Sequence, residues 1–320
     1  MSIFFHILSH NIIPIFLLIS LGFLLSKKFD LHIFSLSKLM FYLFVPPFIF
    51  VNLYTTELKL NMLSVLLCGI LLLITNDMIA RIVAKIRKYD VGITNAFKNS
   101  IMFNNSGNIG VSLITLIFGS APFVIDGKTP YLNEAITAQI MILVLQNISV
   151  NTLGFYNAGR ANGSMKDSIK TILRMPAIYV IPLALIFKSM QIDITTTPVW
   201  PTLEYLKNGL VPMALITLGV QLSKTNFDFK NVDIHISVFI KLIISPLLAL
   251  VYIHLLGLNG VVAQTIFIAY AVPTAVNTAL IAVECDSCSD FASQAVMLST
   301  LLSAITLTLA IFAAQFLFPA

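Results

Sequence analysis

Charge is what this sequence has least of. Asp, Glu, Lys and Arg make up 10% of its 320 residues, where a soluble domain carries roughly a quarter. With 58% hydrophobic residues and a strongly positive mean hydropathy, the chain is read as an integral membrane protein. A net charge of +5 is then no nucleic-acid signal, and the basic residues inform topology instead. Cysteine is scarce too. Cys68 lies in an apolar segment, and Cys285-x-x-Cys288 is a lone pair without a second pair or a nearby histidine. Incidental thiols at a helix end explain it better than a metal or redox site. No positively charged region precedes the first apolar run, so no cleaved signal peptide is expected. His6, His10, His32, His235 and His254 lack metal-ligand spacing. No nucleophile constellation, phosphate-cradling loop or carboxylate pair is present. The expectation is a protein that is not an enzyme and holds no cofactor or metal.

What is present is a series of long apolar runs. A span needs about 20 mostly apolar residues, and ten candidates are predicted: 8–26, 34–55, 61–83, 93–119, 133–156, 172–190, 199–222, 232–256, 261–283 and 290–317. Short polar connections separate them. The longest, from Asn157 to about Lys170, reads as a cytoplasmic linker (157–171) between a first five-helix unit (1–156) and a second (172–320). With the N-terminus outside, fifteen basic residues fall on the cytoplasmic side, Lys98 and Lys241 among them, against four on the other. This positive-inside bias places both termini outside, which is periplasmic for the bacterial inner membrane that the short loops suggest.

The halves resemble each other. Leu43–Phe50 parallels Gly209–Ile216, Ala96–Phe103 parallels Ala263–Tyr270, and Ala138-Gln139 parallels Ser293-Gln294. Five spans per half is an odd number, so the second copy is expected inverted. Inverted repeats with interrupted helices in matching places point to a transporter's midplane site.

Such interruptions occur at Asn104-Asn105-Ser106-Gly107-Asn108-Ile109-Gly110 and at Ala271 to Thr278 around Pro273. Unpaired backbone in hydrocarbon costs several kcal/mol per group, so a break persists only inside protein or beside a wet cavity. Gly107 and Gly110 are expected to ease unwinding, and Pro273 removes a backbone donor. Helix N-termini at a break suit a carboxylate, with amides from Asn105, Asn108 and Asn277 beside them. Interhelical glue is the plainer role for such amides. No arginine lies in either break, so helix ends and amides rather than a formal charge are expected to hold the anion. Candidate binding residues are Asn104, Asn105, Gly107, Asn108, Pro273, Asn277, Asn52 and Gln146. Asp77 and Arg81, one turn apart on span 3, are read as a coupling or gating pair, with a structural ion pair as the alternative. Gln139 of span 5 joins them, and Gln146, Asn147 and Asn151 recur down that span. Glu284, Asp286 and Asp290 read as a solvated loop.

These residues resemble the auxin efflux carrier family, which includes plant auxin exporters and bacterial malonate or malate permeases. Asn105-Ser106-Gly107-Asn108-Ile109-Gly110-Val111-Ser112-Leu113 is similar to its span 4 motif, Asn-Thr-Gly-x-x-Gly-x-Pro-Leu. Ala271 to Asn277 resembles the span 9 signature, Leu298 to Ser303 the Ser-Thr-Leu-x-Ser run, Val211 to Leu222 the span 7 pattern, and Asp77-x-x-x-Arg81 the span 3 pair. Ser112 replaces the family's proline, and Asn108 stands where an apolar or aromatic residue is usual. The likeness runs the length of the chain. It implies an all-α fold of ten transmembrane helices in two inverted five-helix repeats, related to bile-acid/sodium symporters, with crossing helices 4 and 9. It also implies elevator-type alternating access by a secondary transporter of a small organic anion, a mono- or dicarboxylate, coupled to H+ or Na+ or to neither. The expected partners are that anion and the lipid bilayer, with a homodimer left open and no nucleic acid. A transporter-fold sensor of a ligand or lipid that regulates a partner is the alternative, and a channel is disfavoured for want of a charged ring or filter.

Overall fold

The computed structural model describes residues 8–55, 62–158, 176–224, 230–285 and 287–319. Most of the expected linker, from 159 on, lies outside them, as do His6 and Asp286. The described residues are helical: α1 (Leu8–Lys28), α2 (Ile33–Thr55), α3 (Met62–Arg87), α4 (Val91–Met102), α5 (Ser106–Phe118), α6 (Leu132–Ala158), α7 (Pro176–Ser189), α8 (Val199–Leu222), α9 (Val232–Leu255), α10 (Gly260–Ala271), α11 (Asn277–Glu284) and α12 (Ser289–Leu317). Among them no strand forms; there are only isolated bridges.

Six helices are long and apolar enough to cross a membrane by themselves: α1, α2, α6, α9, α12 and, from Leu63, α3. The other predicted spans depart from that standard for visible reasons. Segments 93–119 and 261–283 are each broken into two helices, α4 with α5 and α10 with α11. Span 172–190 begins outside the described residues, and α8 carries Glu204 and Lys207. Asn157, the first residue of the expected linker, still belongs to α6 and is buried.

The helices are apolar on both faces, so polarity does not mark their buried side. On α3, Ile70, Ile74, Met78 and Ile82 stand exposed at four-residue spacing, while Cys68, Leu72, Asn76 and Ala80 on the opposite stripe are buried. An exposed apolar stripe of this length suits lipid, and the hydrophobic term then cannot decide which face packs. Small residues and hydrogen bonds decide instead. Gly22 of α1 and Gly219 of α8 show this directly. A Cβ on Gly219 would stand 1.9 Å from the carbonyl oxygen of Ile19, and one on Gly22 would stand 2.1 Å from that of Ile216. The two backbones therefore touch.

Packing sorts the helices into two groups. In one, α8 lies on α1 and α2, with α7 against α2. In the other, α3 packs on α4 and α6, α10 on α6, α9 and α12, and α4 on α12. Local caps set where two of the second group begin. Asp90 Oδ1 accepts from the Ile93 N–H at 2.8 Å ahead of α4, and Asn231 Oδ1 accepts from the Asp233 N–H at 3.0 Å ahead of α9, each satisfying an orphan donor of the first turn.

Candidate functional site

The two interruptions meet. Helix α10 ends at Ala271 because Val272 precedes a proline and is forced extended (φ −67°, ψ 153°). Helix α4 ends at Met102, and Phe103 is likewise extended (φ −105°, ψ 127°). Residues Asn104 and Thr274 then pair as an antiparallel bridge. The Asn105 N–H donates to the Pro273 carbonyl at 2.8 Å, and the Ala275 N–H donates to that of Phe103 at 2.9 Å. Each break supplies the hydrogen bonds that the other lost, which lets non-helical backbone persist inside the protein. Thr274 locks the crossing: its hydroxyl donates to the Ser100 carbonyl at 2.8 Å and its N–H to Ser299 Oγ at 3.2 Å.

The irregular stretch is shorter than the sequence suggested. The expected interruption ran to Gly110, but Ser106–Gly110 forms a wide helical turn that opens α5. Neither Gly107 nor Gly110 has a positive φ, so backbone freedom is not what these glycines supply. Gly110 makes room: a Cβ there would stand 2.5 Å from Gln139 Nε2, which donates to the Ser106 carbonyl at 3.0 Å. Asn105 does the capping, its Oδ1 accepting from the Asn108 N–H at 3.3 Å. Ser112, in the place of the family's proline, donates to the Asn108 carbonyl at 2.6 Å.

A narrow, partly open cavity lies beside this crossing. Its walls include the first residues of α5 (Ser106, Gly107, Asn108) and the residues opening α11 (Ala275, Val276, Asn277), so both helix N-termini face it. Asn104, Asn105, Gln146 and Asn147 complete that side. Ser37 and Met40 of α2 and Thr217 and Gln221 of α8 form the other. The cavity thus separates the two helix groups, and among the described residues no carboxylate lines it. Gln146 Oε1 accepts from the Asn104 N–H at 3.1 Å. Asn104 Nδ2, Asn105 Nδ2 and Ser106 Oγ are buried without a hydrogen-bond partner.

Of the expected binding residues, Asn104, Asn105, Gly107, Asn108, Gln146 and Asn277 come together here. Pro273 contributes its backbone to the crossing behind them, and Gln139 braces the opening turn of α5. Asn52 does not join. Its amide turns back on its own helix, donating to the Phe48 carbonyl at 2.7 Å.

Two lysines assigned to the cytoplasmic edge are inside the protein. Lys98 Nζ lies 2.8 Å from Asp77 Oδ1, and Arg81 Nε lies 2.6 Å from Asp77 Oδ2. Lys98 also donates to Asn157 Oδ1 at 3.0 Å, and Asn157 donates to Asn99 Oδ1 at 2.8 Å. Asp77 therefore holds two cations, not one. Lys241, on a wide turn of α9 (Ile240–Ile244), is fully buried at 0% exposure. Its ammonium group donates to the Ile101 carbonyl at 3.1 Å and to Asn104 Oδ1. A side chain able to carry a formal charge does stand at the break, supplied by a neighbouring helix. The signal was present: Ser237, Lys241 and Ser245 recur every fourth residue and are all buried, with Ser237 bonded to Ser100 at 2.6 Å and Ser245 to Asn76 at 3.3 Å.

The sequence pattern of the membrane transport protein family matches residues 7–170 and 162–311. The chain belongs to that family, the auxin efflux carriers. It is similar to an uncharacterized transporter of Methanothermobacter thermautotrophicus, 24% identical over 278 residues that cover 86% of this chain and 87% of the relative. A multi-pass membrane protein of a transporter family is what these matches and the apolar helices establish.

Proposed function

We propose that the protein is a secondary active transporter of a small organic anion, bound as a carboxylate in the cavity at the crossing. One observation carries the reading. Two helix N-termini and the amides of Asn104 and Asn105, whose buried Nδ2 donors have no partner, stand in the wall of a cavity with no carboxylate among its described lining residues. Unsatisfied buried donors cost about 1–3 kcal/mol each, and an anion would supply the missing acceptors while meeting the positive ends of both helices. A metal or organic cation would meet the wrong polarity. Binding and translocation need no chemical step and no cofactor, so the protein is not an enzyme in this reading.

Transport follows by alternating access of elevator type. The cavity lies between the group of α1, α2, α7 and α8 and the remaining helices, so sliding one group past the other would carry the bound anion. Counting each broken pair as one span gives ten spans, in two inverted five-helix repeats. Asp77, Arg81 and Gln139 act as gating residues in this reading, Asp77 tying α3 to Lys98 of α4 and Gln139 tying α6 to α5. The positive-inside bias supports both termini facing outside at the inner membrane. Removing Lys98 and Lys241 from the fifteen leaves thirteen basic residues against four, so the bias survives.

The test is a thermal-stabilisation screen of the purified protein with acetate, malonate and succinate, with and without sodium, followed by uptake into proteoliposomes. At a concentration about 100-fold above Kd, a true substrate adds about 2.7 kcal/mol to stability. A panel in which organic cations stabilise and carboxylates do not would overturn the reading.

A further inference from the structure

Lys241 is the one charged side chain at the crossing that the proposed anion site leaves unexplained. It is fully buried, and its partners among the described residues are neutral oxygens, the Ile101 carbonyl and Asn104 Oδ1. Contrast Lys98, which is nearly as buried but sits against Asp77. A buried ammonium ion without a counter-charge is costly, and proteins pair such ions or leave them unprotonated. A protonated lysine can only donate, and Asn104 turns its oxygen to Lys241, which leaves its NH2 on the other side. That NH2 is the buried donor left without a partner, on a residue that lines the cavity. The amide thus stands as a relay, with the lysine at one end and an anion's place at the other.

Building on the anion reading, we propose that the anion and a proton on Lys241 bind together. A carboxylate entering the cavity supplies the counter-charge that the ammonium ion lacks, and the amine takes a proton from water as the anion arrives. When the anion leaves, the proton leaves with it. The substrate class is a carboxylate, the coupling ion is H+, and the stoichiometry is one proton per carboxylate charge read through Asn104.

Other titratable groups on the elements packed against this turn are committed elsewhere. On α4 and α3, Lys98 and Arg81 share Asp77, and Arg87 pairs with Asp233 at the start of α9. Lys85 lies in the last turn of α3, and Cys68 on the same helix is a buried free thiol. On α10, Tyr270 donates to the Gly69 carbonyl at 3.4 Å. On α9 itself, Tyr252 bonds to Thr75 at 2.5 Å, a ring nitrogen of His254 bonds to the Leu250 carbonyl, and His235 is exposed. On α12, Asp290 is exposed at the helix start.

A simpler role is available, because Lys241 reaches the carbonyl end of α4 and a cation there caps the helix dipole. The two roles predict different pH behaviour. Affinity for acetate, malonate and succinate, read by thermal stabilisation at pH about 7 and above where all three are ionised, is expected to fall by up to tenfold per pH unit in the wild type. Proton uptake on binding, followed in weakly buffered solution, is expected to approach one. Lys241→Arg keeps a permanent charge and is expected to bind without pH dependence or proton uptake. Lys241→Met is expected to lose at least tenfold in affinity. Asn104→Asp gives the lysine a built-in carboxylate and is expected to abolish both binding and uptake. Wild-type binding with no proton uptake and flat affinity overturns the proposal, and so does Lys241→Met that melts lower yet keeps the wild-type pH slope. Should none of the three carboxylates stabilise the wild type, it is the anion reading that fails.

Discussion

The backbone N–H of Asn105 donates to the carbonyl of Pro273 at 2.8 Å, across 168 residues of chain. This bond and its mate from Ala275 to Phe103 place the two helix breaks edge to edge. Replacing Pro273 with Ala frees Val272 to re-enter the helical region and lets α10 run on. Transport is expected to fall about a hundredfold, the scale on which misplacing a bound group by an ångström acts. Asn105→Ala, which loses the cap on the Asn108 N–H, is expected to lose transport as well. Membrane insertion, judged by detergent extraction and gel filtration, is expected to stay intact for both. Unchanged uptake in proteoliposomes would remove these residues from the site.

Asp77 holds Lys98 in the interior and Arg81 at the surface. Asp77→Asn leaves Lys98 buried without its counter-charge and is expected to cost about 3 kcal/mol. Adding Lys98→Met is expected to recover most of that loss, a coupling readable in a double-mutant cycle of unfolding temperatures. Arg81→Ala, at an exposed position, is expected to cost less than about 1 kcal/mol. The pH profile of transport is expected to keep its shape in Asp77→Asn, which separates this cluster from Lys241.

Gly219→Ala tests the contact of α1 and α8. Its methyl would press on the Ile19 carbonyl, backbone against backbone, with no flexible side chain to give way. The helices must part, and a loss of about 1–3 kcal/mol or more is expected. Gly127→Ala, with nothing within 4 Å but a φ of +73°, tests strain alone and is expected to cost about 1 kcal/mol.

Outside the spans, Tyr89 donates to Asp233 Oδ1 at 2.7 Å beside Arg87. Burial first, and then this bond to the carboxylate, push its hydroxyl up to about 12 from a reference of 10.0. A raised value in the folded state means that the contribution is complete below the reference and is lost as pH rises towards about 12. Tyr89→Phe is expected to flatten that alkaline limb of the unfolding curve. A wild-type limb that persists in the variant would assign it to another group.

Helix breakers were legible in the sequence because a proline or a run of amides disrupts a helix whatever surrounds it. Pro273 and Asn104–Asn105 acted as read. Gly110 was misassigned because a glycine placed for room looks the same in sequence as one placed for freedom, and only its close neighbour Gln139 tells them apart. Lys98 and Lys241 were missed for a related reason. Both were counted with the basic residues of the cytoplasmic side, and their burial depends on partners far along the chain: Asp77 and Asn157 for one, Ile101 and Asn104 for the other. Ser37, Thr217 and Gln221 reach the cavity from segments that carry no break, and no local pattern marks them. Asn52, by contrast, looked like a cavity amide and satisfies its own helix.

The paired bridge at Asn104 and Thr274 makes the two interruptions a single shared joint. A chain severed between α6 and α7 would leave each fragment with a torn edge, its Phe103 or Pro273 carbonyl seeking a donor that lies on the other piece. Neither piece is expected to hold its break open alone, whereas the two co-expressed should knit at this point first. The joint is thus a mutual template, and the chain's halves owe their bent shapes to each other.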